Sequence, residues 1–287
     1  MTVSPRRVLF RRLIRHPGVV IGSLLLGLLI LAVVAAPLLT SGDPLDQSPS
    51  NAFQPPSAEH PMGTDNFGRD VFTRFLYGGR VSLQVGFVAT AIGATVGTLL
   101  GLLAGYYGGV LDAVISWLID VLLAFPGILL ALVVIAILGT GVFNLMIAVG
   151  IAFIPSFTRL ARAEVLRVRE QQFIEAARAL GSSDGRIIWR HVLHNIVRPL
   201  LVLATLGLGN AILEGAALSF IGLGTQPPHP EWGAMLSAGR TFMRQAWWIT
   251  VFPGLGIFLT ILSVNLLGDG LGDMIGAEHQ GQVKAGE

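Results

Sequence analysis

Cysteine is absent from all 287 residues. That excludes disulfides as a stabiliser and thiolates as metal ligands. Lysine is nearly absent as well: Lys284 stands alone, after Val283. The chain therefore lacks the Gly-Lys-Ser/Thr of a phosphate-binding loop. No His/Glu pair occurs at metalloprotease spacing. The polypeptide is thus not expected to be an ATPase or hydrolase in its own right, and it needs no cofactor of its own. Charge of either sign is scarce. Only 13% of residues are charged against 53% hydrophobic, with a mean hydropathy of +0.70, far from the balance of a soluble domain.

Residues 18–40 contain no Asp, Glu, Lys or Arg, enough to cross a bilayer core as one helix. Five further apolar stretches follow, at 81–105, 114–138, 142–157, 199–223 and 247–267. The expected fold is an all-α membrane protein with six transmembrane helices. Its parts are a tail over 1–17, a first helix and loop over 18–80, and a core of five helices over 81–287. The first apolar stretch exceeds the roughly 7–15 residues of a signal-peptide core, so it is expected to remain as an anchor. Pro126, Pro155 and Pro253 interrupt later stretches and are expected to bend or end their helices.

Arginine sets the orientation. Arg6, Arg7, Arg11, Arg12 and Arg15 precede the first span with no acid among them. The segment 159–198 adds Arg159, Arg162, Arg167, Arg169, Arg178, Arg186, Arg190 and Arg198. The loop 41–80 has three arginines against five acids. By the positive-inside rule both basic regions and both termini face the cytoplasm, and the loop 41–80 lies outside. The high pI then needs no nucleic acid partner.

Gly93, Gly97, Gly101 and Gly105 recur every four residues and make a bare helix stripe for close packing, with a subunit interface or pore lining as alternatives. Asp112, Asp120 and Glu214 fall in or beside spans; a polar structural role and a proton or substrate relay are both open for Glu214. Trp247 and Trp248 suit an interfacial aromatic belt. Trp232, behind Pro227, Pro228 and Pro230, is either a docking surface for a binding protein or a locally packed aromatic. His191 and His194, beside Arg186 and Arg190, read as a basic face rather than a metal site.

The polar segment 173–193 is the most informative. Glu175, Ala176, Ala177, Arg178, Ala179 and Leu180 are good helix formers, and Gly181 stands where a left-handed closing residue belongs. Ser182, Ser183 and Asp184 can cap a second short helix. The alanines leave little bulk on the surface around Glu175. Glu175-Ala176-Ala177, then Gly181, then Leu193 resembles the EAA signature of ABC-importer membrane subunits. The string resembles the peptide/nickel permease branch in particular. His60-Pro-Met-Gly-Thr-Asp-Asn-Phe-Gly-Arg-Asp70, Tyr77-Gly-Gly-Arg-Val-Ser82, Glu231-Trp-Gly-Ala-Met235, Phe252-Pro-Gly254 and 265–271 match the same branch in order. His194 departs from it, standing where many members carry proline, so the second short helix is expected to end differently.

The resemblance implies a C-type subunit of a dipeptide or oligopeptide system with the type I ABC importer fold, in a bacterial inner membrane. It implies a homologous second permease subunit and an extracytoplasmic solute-binding protein. Two cytoplasmic ATPase subunits would bind ATP and magnesium and contact the loop 163–197 through Glu175, Ala176, Ala177, Gly181, Arg186, Arg190 and Leu193. Nickel chelates, glutathione or another small solute are alternative cargoes. An ion-coupled secondary transporter is the alternative of another class; it would leave the Glu175 segment without a use.

Overall fold

The structure, a computed structural model, describes residues 16–285, with side chains to Asp273. Arg6, Arg7, Arg11, Arg12 and Arg15, which carry part of the expected orientation, lie outside the described residues. The apolar runs form helices, and among the described residues the only β pairing is an isolated bridge between Thr64 and Asp70.

Helix α1 (Pro17–Val34) opens on a proline, whose missing N–H suits a first helical position. After Ala35 comes short α2 (Ala36–Leu39). Helix α3 (Val71–Tyr107) starts ten residues before the expected Val81, because Asp70 caps it by accepting from the Thr73 amide at 2.7 Å. It ends at Gly108, where φ is +68°. Helices α4 (Gly109–Leu123), α5 (Gly127–Leu138) and α6 (Val142–Arg169) follow, then α7 (Gln172–Ala179) and α8 (Asp184–Phe220, with a π-helical turn at Ile187–Val192). Helices α9 (Trp232–Gly239) and α10 (Trp248–Ala285) complete the chain.

Helices α1, α3, α6, α8 and α10 are each long and apolar enough to span a membrane, and α4 with α5 makes a sixth, bent by 94°. The three prolines act differently. Pro126 breaks its span outright. Pro155 lies inside α6 and does not end it; the helix runs on to Arg169, well past the expected 157. Pro253 likewise sits within α10. Membrane helices tolerate proline where neighbouring protein surrounds the freed backbone, and Pro155 is buried.

The main pairing is α3 on α6, along the glycine row. A β-carbon at Gly93 would come 2.6 Å from Phe153 Cβ; at Gly97, 2.6 Å from Ile154 O. At Gly101 it would come 2.5 Å from Ala161 Cβ, and at Gly105, 2.8 Å from Val165 Cβ. The row is therefore turned onto α6 of the same chain, with backbone against backbone over four turns. Two ion pairs tie α4 to α6: Arg162 grips Asp112 with Nε and Nη2 (2.5 and 2.7 Å), and Arg159 Nη2 meets Asp120 at 2.7 Å. These arginines thus have structural partners beyond any role in orientation.

At the opposite end from Glu175, tryptophans and acids hold the long loops. Trp232 is fully enclosed: its ring stacks on Phe75 at 5.3 Å, and Nε1 donates to Phe75 O at 2.9 Å. Glycines at 79 and 256 leave the slot it fills. It presents no surface for docking in this conformation. Trp248 is also buried, donating to Thr64 O at 3.0 Å, so of the two only Trp247 keeps the exposure that a belt residue needs. Glu231 caps α9 through the Gly233 and Ala234 amides and accepts from Ser82 Oγ at 2.8 Å. Buried Asp65 accepts from the Phe67 and Arg69 amides and from Arg69 Nε at 2.6 Å. Hydrogen bonding and packing thus do the work that disulfides do in many external loops.

Candidate functional site at the Glu175 segment

Helix α6 leaves the apolar layer at its Arg167–Arg169 end, and the chain turns at Glu170 into α7. Apolar residues of α7 and α8 point back to the bundle. Ile174, Ile187 and Val192 are fully buried in one cluster with Leu102 and Tyr106 of α3 and Phe157, Ala161 and Val165 of α6. Burying side chains of this size is worth about 1.5–3 kcal/mol each, which makes the segment one body with α3 and α6. Leu193 is half-buried against the same cluster.

The bend between α7 and α8 is made by Gly181, at φ +78°. The Gly181 amide donates to Arg178 O at 2.9 Å and the Ser182 amide to Ala177 O at 3.0 Å. This double closure leaves few carbonyls of the short helix unpaired. The expected caps of the next helix are not made. Ser183 occupies the N-cap position without a side-chain bond, and Asp184 is engaged elsewhere. It accepts from the Tyr106 hydroxyl at 2.6 Å.

That bond is one of four interactions at the end of α3. The Arg178 guanidinium lies 5.5 Å from the centre of the Tyr106 ring, and Arg169 Nη1 donates to Gly105 O and Tyr106 O at 3.0 and 3.2 Å. The arginine thereby satisfies carbonyls at a helix C-terminus, where positive charge is favoured. The inner turn at 105–109 is therefore a clamp on the Glu175 segment. Tyr106 beside a glycine-rich break is the signal for it in the sequence.

The outward face is equally specific. Glu175, Ala176 and Ala179 are exposed, and Glu175 makes no hydrogen bond or ion pair among the described residues. Ala177 turns inward, so the two alanines of the motif face opposite ways rather than together. Arg186 and Arg190 are exposed. Three large apolar side chains of the same segment, missed in the sequence, are also exposed: Phe173, Leu180 (86% exposed) and Trp189 (61% exposed). The second helix does not end near His194; it continues as one helix to Phe220, its π turn absorbing the change in register. An exposed acid together with exposed apolar side chains on a rigid mount has the composition of a protein-docking surface.

Residues 97–277 match the family described as binding-protein-dependent transport system inner membrane component. Residues 4–56 match the N-terminal TM domain of oligopeptide transport permease C. A dipeptide transport system permease protein of Alkalihalophilus pseudofirmus is 50% identical over 273 residues, covering 95% of this chain and 90% of that protein. A putative peptide transport system permease protein of Brucella abortus is 45% identical, covering 95% and 92%. A glutathione transport system permease protein of Escherichia coli is 50% identical over 226 residues, covering 79% and 75%. Among solved structures, the methionine ABC transporter in an inward-facing conformation aligns at a TM-score of 0.55 and 19% identity, covering 68% of this chain and 93% of that one. That likeness concerns the fold alone. The chain therefore belongs to the family of binding-protein-dependent transport system inner membrane components, multi-pass permease subunits of ABC importers, and carries the N-terminal domain of the C-type branch.

Proposed function

We propose that this permease forms half of a pathway for dipeptides or oligopeptides, with a homologous second subunit forming the other half. A solute-binding protein delivers the peptide at the Trp232 end, outside the cell. Two ATPase subunits act at the other end, each on one Glu175 segment, and supply the nucleotide and magnesium chemistry that this chain lacks. The observation that carries the reading is the mount itself. Glu175 is exposed and unpartnered on a helix riveted to α3 and α6, so a push on α7 moves two spans together. The peptide assignment is supported by 50% and 45% identity to permeases named for dipeptides and peptides. Glutathione is itself a tripeptide, so the 50% identity to its permease supports a small peptide cargo as well. Glu175→Arg tests the coupling. Charge-assisted hydrogen bonds are worth roughly 1.5–3 kcal/mol each, so uptake into reconstituted vesicles should fall at least about tenfold while membrane insertion is unchanged. Full ATP-driven uptake by this variant would overturn the assignment.

A further inference from the structure

Asp112 and Asp120 each face an arginine of α6, but Glu214 of α8 has no such neighbour. It makes no hydrogen bond or ion pair among the described residues, and its Oε2 is buried without a donor. Its Oε1 lies 3.6 Å from where a β-carbon on Gly127 would stand. That places the carboxylate against the 94° break between α4 and α5. Ala124, Phe125 and Pro126 at the break are exposed, so this chain does not cover its own irregular backbone there. Irregular backbone at membrane depth persists only where protein surrounds it or where it borders a water-filled cavity. An uncompensated carboxylate facing lipid is likewise costly. A broken span and an unpaired acid, brought together from segments far apart in sequence, mark one wetted place. In secondary transporters, substrate sites are commonly built at such interrupted helices, and the same physics of exposed backbone groups applies here.

We propose that Glu214 lines the translocation pathway beside the break at 124–126 and receives the ammonium group of the passing peptide. The inference rests on the peptide reading above. The cationic end of a peptide is the group that a lone carboxylate recognises, and the pathway supplies it only in transit, which leaves Glu214 without a fixed partner in the subunit.

The test uses the complete importer, with its second membrane subunit, ATPases and binding protein, in vesicles. Glu214→Cys introduces the only thiol of this chain. A membrane-impermeant, water-soluble thiol reagent should modify it, and saturating peptide-loaded binding protein with ATP should slow the modification. Uptake is then compared for a dipeptide and its N-acetylated form, in wild type and Glu214→Gln. Because the binding protein is the same in all four measurements, its own preference cancels. The ratio of free to acetylated uptake should fall by about tenfold in the variant, the value of one lost hydrogen bond to a charged group. An unreactive thiol would mean that partner protein or lipid covers the site, and overturns the proposal. So does an equal loss for both peptides, which would indicate a structural acid, or no loss for either. Wild-type vesicles that import neither peptide would instead refute the peptide reading, and the inference with it.

Discussion

Gly181 holds φ at +78° with open space where a side chain would stand. Substitution there is penalised by backbone conformation and not by crowding. Alanine in the left-handed region costs about 1–2 kcal/mol, asparagine less, and a β-branched residue more. Gly181→Asn should retain the most coupling between ATP hydrolysis and uptake, Gly181→Ala less, and Gly181→Val the least. Assaying the three in vesicles checks this order; an order following side-chain size would show that a partner fills the space instead. Local chemistry made this glycine legible, since helix formers ran up to it. The fate of Asp184 was not legible. As a residue it suits a cap, but Tyr106 claims its carboxylate from a helix end 78 positions away, and no local pattern announces that. Trp248 misled for the same reason. Its indole looks interfacial until Thr64, distant in sequence, accepts its N–H.

At the scale of elements, the period of four in α3 was readable, but its partner was not, because a stripe of small residues fits any close neighbour. The row meets α6, where backbone oxygens of Ile154 and Thr158 lie 2.6 and 2.7 Å from the β-carbon positions of Gly97 and Gly101. Backbone cannot step aside as a flexible side chain can. Gly97→Leu or Gly101→Leu should therefore cost at least about 1–3 kcal/mol and lower the yield and melting temperature of the assembled complex. Gly27→Leu on α1 is the control, for nothing lies within 4 Å of its β-carbon position and the residue is exposed. Thermal unfolding of the purified complexes separates the cases; equal melting temperatures for all three variants would refute the packing account. The prolines show the same limit of sequence reading. Pro126 and Pro155 look alike as interruptions, yet one ends a helix and the other is absorbed, since burial among neighbouring helices decides the outcome.

For the whole molecule, the spans are read from hydropathy and their expected sense from arginine, and the two rely on different physics. Five arginines before α1 lie outside the described residues, whereas Arg159 and Arg162 are engaged with Asp120 and Asp112. The expected orientation rests on both basic regions, the five arginines before α1 and the segment 159–198, whose Arg186 and Arg190 are exposed. Such charges resist transfer across the bilayer during insertion, so this end is expected in the cytoplasm. The opposite end holds the loop around Asp65 and the turn at 221–231, where acids outnumber arginines in the first and arginine is missing from the second. A phosphatase that is active only outside the cytoplasm, inserted after Gly185, should be silent. The same enzyme inserted after His229, in the turn before α9, should be active. The pair of results fixes both ends at once, independently of any transport assay. Activity at Gly185 with silence at His229 would invert the molecule and place the Glu175 surface beyond the reach of any ATPase.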